Sequence, residues 1–175
     1  MATPSRRALV RTYTLLALLA GAVVLLDQYT KHLVRTRLAL GELWMPLEWL
    51  SPYARVVHWT NTGAAFGLFQ NGGMVFTVLA IIVSAAIIYY YRDVERASWL
   101  IRLALGFQLG GALGNLVDRL TRGTVTDFIS VGTFPVFNVA DASISLGVTL
   151  LLIDMLMEQR RRPSPPAESP APHSP

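Results

Sequence analysis

The sequence predicts an all-α membrane protein with four transmembrane helices, and three observations support this fold class. Hydrophobic residues make up 53% of the 175 residues and charged residues only 15%, with a mean hydropathy of +0.44. A soluble domain carries about 25% charged residues. The apolar residues fall into four stretches, and the basic residues lie in short clusters between them rather than in one stripe. A nucleic-acid partner is therefore not expected, despite the net charge of +4.

The four spans are predicted over residues 10–31, 72–91, 98–118 and 139–157 of a single membrane domain, 1–162. A helix needs about 20 residues to cross the hydrocarbon core. The second span contains no charged residue. The other three reach full length only by including an ionisable residue near one end: Asp27, Asp118 or Asp141. Because a charge within the membrane is costly, such residues suggest function.

The distribution of arginine predicts the orientation. Arginine clusters precede the first span, surround the connection between the second and third, and follow the fourth. Under the positive-inside rule, both termini are expected in the cytoplasm, and residues 32–71 and 120–138 outside. A cleaved secretory signal is an alternative interpretation of the N-terminus, but no A-x-A-like site with a hydrophilic mature chain follows. Residues 163–175 contain six prolines and are predicted to be a disordered cytoplasmic tail.

The outer segments carry two further signals. Residues 55–60 (R-V-V-H-W-T) have the pattern of a short strand, which predicts a small sheet in the first outer segment. The unusual polar residues of the spans all fall at their outward ends, where Asp127 also lies in the second outer segment. Asp127 and Asp141 are therefore expected at one membrane face. Two carboxylates held together share a proton, so that one can act as acid and the other as base toward a water molecule.

Structural roles compete with these functional ones. Asn138 has the spacing of an N-cap with Asp141 at the third helical position, and capping can coexist with catalysis. Asp118 beside Arg119 has the pattern of an ion pair near the interface. Asn115 and Arg119 are four residues apart and share a helix face. Gly106, Gly110 and Gly114 repeat a G-x-x-x-G pattern, for which close helix packing is the favoured role.

Five blocks, in order along the chain, together resemble lipoprotein signal peptidase, the signal peptidase II family: L-D-Q-Y-T-K (26–31), N-T-G-A-A-F-G (61–67), G-G-A-L-G-N-L-V-D-R-L (110–120), V-T-D-F (125–128) and F-N-V-A-D-A-S-I (137–144). Each block alone is a weak signal, whereas the ordered set on a four-span chain is specific. The stretch between V-T-D-F and F-N-V-A-D looks shorter than in many members of the family, which leaves the local loop shape open.

The resemblance implies a bacterial inner-membrane aspartic endopeptidase that cuts a diacylglyceryl-modified prolipoprotein just before its lipidated cysteine. It implies that Asp127 and Asp141 are the catalytic dyad and that the site lies at the extracytoplasmic face, with a small β-cradle between the first and second spans. Seven further positions match residues that support the site: Asp27, Lys31, Asn61, Gly63, Asn115, Arg119 and Asn138. No metal or other cofactor is implied, and the absence of cysteine excludes thiolate ligands. The expected partners are the lipidated substrate and membrane lipid, for a protein that we expect to be a monomer.

Two other functions remain open at this point. Membrane carboxylates and an arginine also mark proton-coupled transporters, although those usually place the site near the midplane between internal repeats. The repeated glycines also suit a four-helix scaffold for a partner complex, but that hypothesis assigns no role to Asp127.

Overall fold

The computed structural model describes residues 6–63, 72–96 and 98–161. The proline-rich tail predicted over 163–175, and residues 64–67 of the N-T-G-A-A-F-G block, lie outside the described residues. The described chain forms four α-helices, α1 (Arg6–Arg37), α2 (Gly73–Tyr90), α3 (Trp99–Arg122) and α4 (Val139–Arg161). All four are long enough and apolar enough to cross a membrane, which confirms the predicted number of candidate spans.

The first helix is longer than predicted. It extends over 32 residues to Arg37, six residues beyond the expected end at Lys31. No glycine or proline interrupts residues 22–40, so the helical backbone continues past the membrane stretch until the turn at Gly41, whose φ is 84°. The helix therefore carries Arg35 and Arg37 in its last turn.

The small sheet is present, but it does not lie wholly between the first two spans. Two strands, β1 (Leu43–Trp44) and β2 (Ala54–Asn61), come from that connection, whereas β3 (Val125–Val131) comes from the connection between α3 and α4. The order is β1-β2-β3 and both pairings are antiparallel. The strand predicted over 55–60 lies within β2. Since β3 contains Asp127, the sheet brings the second outer segment against the first.

Helix α3 is the centre of the bundle, and it packs against each of the other three helices. Its glycines allow this close approach. A methyl group added at Gly110 would lie 2.6 Å from Cβ of Val23 and 2.9 Å from the carbonyl oxygen of Ala20, both on α1. A methyl group added at Gly106 would likewise clash with the Leu19 side chain, and one added at Gly114 would clash with the Asp27 carboxylate. The prediction that the G-x-x-x-G pattern serves close helix packing is therefore confirmed, because these three glycines of α3 lie directly against α1.

The remaining helices leave apolar side chains on the outside of the bundle. On α2, only Ser84 and Ile87 are buried, and the exposed residues include Met74, Ile82 and Tyr90. Such a surface would be unfavourable in water but is what a lipid-facing helix presents. The chain is thus a multi-pass membrane protein in which α3 is shielded and the other helices contact lipid.

Replacing Gly110 by alanine should destabilise the bundle by about 1–3 kcal/mol, the usual cost of overpacking. The added methyl would press on the backbone of α1, so the two helices would have to separate. The matched control is Gly21→Ala, because a methyl there meets no atom within 4 Å, and alanine is the better helix former by about 1 kcal/mol. Thermal unfolding in detergent micelles measures both. Equal melting temperatures for Gly110→Ala and the parent protein would contradict the close packing.

Candidate active site

A cavity of about 620 Å³ opens at the end of the bundle that carries the sheet. It is lined from β2, α2, α3, β3, the β3–α4 connection and α4. Its polar lining consists of Asn61, Asn115, Arg119, Asp127, Asp141 and Ser145. Gly63 lines it as well, and the apolar lining includes Phe76, Phe134 and Ile144. The cavity is therefore a mainly apolar pocket with a few convergent polar groups at one end of a membrane bundle, within the size range of small-ligand pockets.

Asp127 lies in the middle of β3 and is only 1% exposed. Its position follows from the strand pairing, in which Asn61 is opposite Val125 and Trp59 is opposite Asp127. Side chains of alternate residues share one face of a sheet. Asn61 consequently reaches the carboxylate, and its Nδ2 donates a hydrogen bond of 2.9 Å to Oδ2. The other oxygen, Oδ1, accepts a hydrogen bond of 2.6 Å from Nδ2 of Asn138.

Asp141 lies in the first turn of α4, where a reciprocal capping arrangement holds it. The backbone N–H of Asp141 donates to Oδ1 of Asn138 at 3.0 Å, and the backbone N–H of Asn138 donates to Oδ2 of Asp141 at 3.3 Å. Oδ1 of Asp141 also accepts a hydrogen bond of 2.7 Å from Nδ2 of Asn115. The capping role weighed for Asn138 and Asp141 is thus observed. Asn138 also contacts Asp127, so this one residue bonds both carboxylates, that of Asp127 through its side chain and that of Asp141 through its backbone N–H.

Burial raises the pKa of Asp127 from its ordinary value of 3.8 to about 6. Removal from water is the main cause, and the nearby negative charge of Asp141 adds to it. The hydrogen bonds from Asn61 and Asn138 act in the opposite direction, because amide donors favour the ionised carboxylate, and Lys31 also lowers the pKa. Two interacting carboxylates line one cavity, and Asp127 keeps its proton about two pH units higher than an ordinary aspartate does.

Arg119 and Asn115 line the cavity from α3, one helical turn apart, as their spacing predicted. The guanidinium carbon of Arg119 lies 5.6 Å from the centre of the Phe76 ring on α2. That contact is within cation–π range and orients the side chain across the cavity. A partly buried guanidinium can donate several hydrogen bonds to an oxygen-rich group entering the pocket.

Behind the cavity lies a cluster of fully buried charges. Nζ of Lys31 is 2.8 Å from Oδ2 of Asp27 and 3.2 Å from Oδ2 of Asp118, and all three side chains are 0% exposed. Arg35 lies 3.4 Å from the same Asp118. The ion pair expected between Asp118 and Arg119 is therefore wrong. Consecutive residues of a helix point in different directions, so Asp118 faces α1 while Arg119 faces the cavity.

This charged cluster contacts both halves of the site through the backbone. Oδ1 of Asp27 accepts a hydrogen bond of 2.9 Å from the N–H of Ala140, the residue before Asp141. Oδ2 of Asp118 accepts one of 3.0 Å from the N–H of Thr126, the residue before Asp127. Lys31 itself donates to Oδ1 of Asn115 at 2.9 Å. Asp27 and Lys31 thus lie behind the cavity wall rather than in it, and they hold the segments that carry the two carboxylates.

Several residues of the site were not anticipated from the sequence. Gln28 donates from Nε2 to Asp27 and to the carbonyl oxygen of Gly114, and Arg35 donates to Oγ1 of Thr126 at 3.1 Å. Gln28 belongs to the L-D-Q-Y-T-K block, so the family resemblance of that block could have identified it as a site residue. Arg35 and the apolar lining residues Phe76 and Phe134 gave none, because their roles depend on contacts between distant parts of the chain.

Comparison with known proteins places the chain among membrane peptidases. A family described as signal peptidase (SPase) II, peptidase family A8, matches residues 19–157. The lipoprotein signal peptidase of Symbiobacterium thermophilum is 40% identical over 147 residues, covering 82% of this chain and 95% of the relative. That of Geobacillus thermodenitrificans is 42% identical over 142 residues, covering 79% and 87%.

Two solved structures have the same architecture. One, described as a bacterial membrane enzyme determined by the in meso method at 2.3 Å resolution, superposes with a TM-score of 0.78 and 29% identity, covering 86% of this chain and 92% of that one. A second of the same description, at 1.9 Å resolution, gives a TM-score of 0.72 and 31% identity, covering 81% and 92%.

Proposed function

The chain belongs to the signal peptidase II family, and from that premise we propose that it is a membrane aspartic endopeptidase acting on lipid-modified precursor proteins. The family is one of signal peptidases, and the relatives carry the name lipoprotein signal peptidase. We infer that this protein cuts diacylglyceryl-modified prolipoproteins just before the lipidated cysteine. The observation that carries the proposal is the meeting of Asp127 and Asp141 in one cavity, with Asn138 bonded to both carboxylates: to Asp127 through its side chain and to Asp141 through its backbone N–H.

The proposed mechanism divides acid and base between the two carboxylates. Asp127, whose pKa is raised to about 6, holds the shared proton, and Asp141 is the ionised base. Asp141 removes a proton from a water molecule while the oxygen of that water attacks the carbon of the scissile carbonyl. Asp127 donates a hydrogen bond to the carbonyl oxygen as negative charge develops there. As the C–N bond breaks and the carbonyl re-forms, Asp141 gives the proton taken from water to the leaving nitrogen, so the products are a carboxylic acid and an amine and the dyad again holds one proton.

The charges around the site support a dyad with one proton. The cavity and the charged cluster behind it together contain four carboxyl groups and three cationic side chains. The carboxyl groups are those of Asp27, Asp118, Asp127 and Asp141, and the cations are Lys31, Arg35 and Arg119. With every group ionised, the sum is −1, since three positive charges meet four negative ones. One proton on the dyad brings the region to neutrality, which is the favourable state where little water can screen an excess charge.

The position of the cavity supports a substrate anchored in the membrane. The pocket opens at the end of the apolar helices, and its apolar lining residues Phe76 and Ile144 belong to α2 and α4. A diacylglyceryl group would stay in the bilayer beside these helices while the peptide bond reaches the carboxylates. Arg119 and Asn61 are placed to bind the substrate backbone. We propose the extracytoplasmic face of the bacterial inner membrane as the location of the site, with both termini in the cytoplasm.

Asp127→Asn and Asp141→Asn should each lower kcat by at least about 10³-fold while the protein still folds, because an amide can neither accept nor donate the required proton. Because the two groups act as a unit, the double variant should lose little more than either single one. Cleavage of a diacylglyceryl-modified peptide, followed by mass spectrometry, measures the effect. Asp154→Asn is the control, since Asp154 lies in the same helix α4 at its opposite end, where it contacts Ser98. Substantial cleavage by either dyad variant, or equal cleavage of the unlipidated peptide by the parent protein, would refute the proposal.

The pH dependence should follow Asp127. As the pH rises through about 6, Asp127 loses its proton and the dyad becomes two carboxylates without an acid, so kcat/KM should fall above that pH. Asn61→Ala removes a donor that favours the ionised form. It should therefore raise the pKa of Asp127, so that the fall in kcat/KM occurs at a pH about one unit higher. A shift of this size corresponds to the loss of one hydrogen bond to a charged group.

Thr60→Ala is the matched control for that profile, because Thr60 is the exposed neighbour of Asn61 on β2 and points to the other face of the sheet. Its falling limb should coincide with that of the parent protein. A kcat/KM that increases through pH 6 would instead make Asp127 the ionised base.

The orientation can be tested by single-cysteine labelling, since the native chain contains no cysteine. Glu48→Cys and Thr133→Cys place exposed thiols in the two outer segments, and Gln159→Cys places one near the end of α4. A membrane-impermeant maleimide applied to spheroplasts should label the first two and reach the third only after lysis. The reverse pattern would invert the proposed topology.

A further inference from the structure

A second cavity lies apart from the one that contains the two aspartates. It has a volume of about 510 Å³ and lies between the outer end of α1 and the sheet. Its lining comprises Thr30, Leu33, Val34, Arg37, Leu38, Trp44, Val56 and Phe128. The α1 residues among these recur at intervals of three and four, so they form one stripe of the helix. We call this cavity the α1–sheet groove.

The groove is apolar except at one point. The hydroxyl of Thr30 is satisfied by the helix itself, through a hydrogen bond of 2.8 Å to the carbonyl oxygen of Leu26. The charged group in the lining is Arg37, in the last turn of α1. Arg35, two residues earlier, is engaged by Asp118 and Thr126. Arg37, in contrast, makes no ion pair with any residue in the described part of the chain. The groove thus combines an apolar channel with one uncompensated positive charge.

The height of Arg37 along α1 identifies the kind of ligand. Lys31 belongs to the buried charged cluster at the end of the apolar stretch, and Arg37 is six residues, or about 9 Å, further along the helix. The headgroup layer extends about 5–8 Å beyond the hydrocarbon core on each side of a bilayer. Arg37 therefore lies at the level of the lipid phosphates. Below the groove, the exposed side chains of Leu26 and Tyr29 face the acyl chains.

We propose that the α1–sheet groove binds an anionic glycerophospholipid of the surrounding bilayer, with an acyl chain along the apolar stripe and the phosphate on Arg37. The occupant is a membrane lipid rather than the substrate, because the groove includes neither Asp127 nor Asp141. It would contact β3 at Phe128, the residue next to Asp127. The bound lipid would thereby fill the space between α1 and the sheet, which would otherwise lack the close packing of a protein interior.

Trp44 lines the groove and is 54% exposed, so it can report binding directly. A variant with Trp49, Trp59 and Trp99 changed to phenylalanine retains it as the single tryptophan. This variant is reconstituted in phosphatidylcholine nanodiscs that contain, as a minor component, either phosphatidylglycerol or phosphatidylcholine with brominated acyl chains. Brominated phosphatidylglycerol should reach half-maximal quenching at about a fivefold lower fraction, the preference expected from one arginine near an anionic headgroup.

Variants in the same background separate a site from general surface charge. Arg37→Gln should abolish the preference for phosphatidylglycerol, and Arg37→Lys should keep most of it. Arg122→Gln is the matched control, because Arg122 is an exposed arginine at the same end of the bundle that does not line the groove. In Arg122→Gln, the fluorescence of Trp44 should show the same preference for brominated phosphatidylglycerol as in the single-tryptophan parent. Val56→Phe, which fills the groove, should weaken quenching by either brominated lipid.

Equal quenching by the two lipids would overturn the proposal, as would the same loss of preference in Arg122→Gln as in Arg37→Gln. Should Arg37→Gln fold poorly, which circular dichroism in detergent would reveal, Arg37→Lys and Val56→Phe still decide the question. The readout does not depend on catalysis, so it stands whether or not the protein cleaves a lipidated peptide.

Discussion

The ammonium group of Lys31, buried without access to water, is the constraint on which the rest of the site depends. A buried charge costs several kcal/mol unless it is paired and hydrogen-bonded. Lys31 meets that requirement through Asp27, Asp118 and Asn115, and it does so only if α1 and α3 pack closely at this level. Gly114 permits that approach, because any larger residue would meet the Asp27 carboxylate. The close contact between α1 and α3 is therefore needed for Lys31 to be paired, and the pairing of Lys31 in turn favours that contact.

The same cluster determines where the two cavity carboxylates stand. Each buried aspartate pairs with Lys31 and also accepts a hydrogen bond from a backbone N–H: that of Ala140 for Asp27 and that of Thr126 for Asp118. The beginning of α4 and the beginning of β3 are thus both hydrogen-bonded to the buried charged cluster. A dyad needs its carboxyl groups positioned to a fraction of an ångström, which rigid backbone elements provide better than loops. Burial of charge, which contributes little net stability, here serves geometry.

Local patterns in the sequence were sufficient for the number of spans, the strand over 55–60, the cap at Asn138 and the packing of the glycines. Each depends on residues that are neighbours along the chain. The Asp27–Lys31 pair, four residues apart, is also visible in that way. Contacts between distant segments were not: Lys31 with Asp118 lies outside any local pattern, and the alignment of β2 with β3 joins residues about 70 positions apart. The third strand was missed for this reason, because β3 pairs with a strand from the other outer segment.

The two carboxylates of the cavity are carried by different kinds of backbone, and this difference can divide their roles. Asp141 lies in the first turn of α4, where its carboxylate accepts a hydrogen bond from the backbone N–H of Asn138. Asp127 lies on a strand, where removal from water raises its pKa. One acid at a helix N-terminus and the other on a buried strand have different surroundings before any substrate binds. The proposed mechanism uses that difference, because it needs one carboxyl group with a proton and one without.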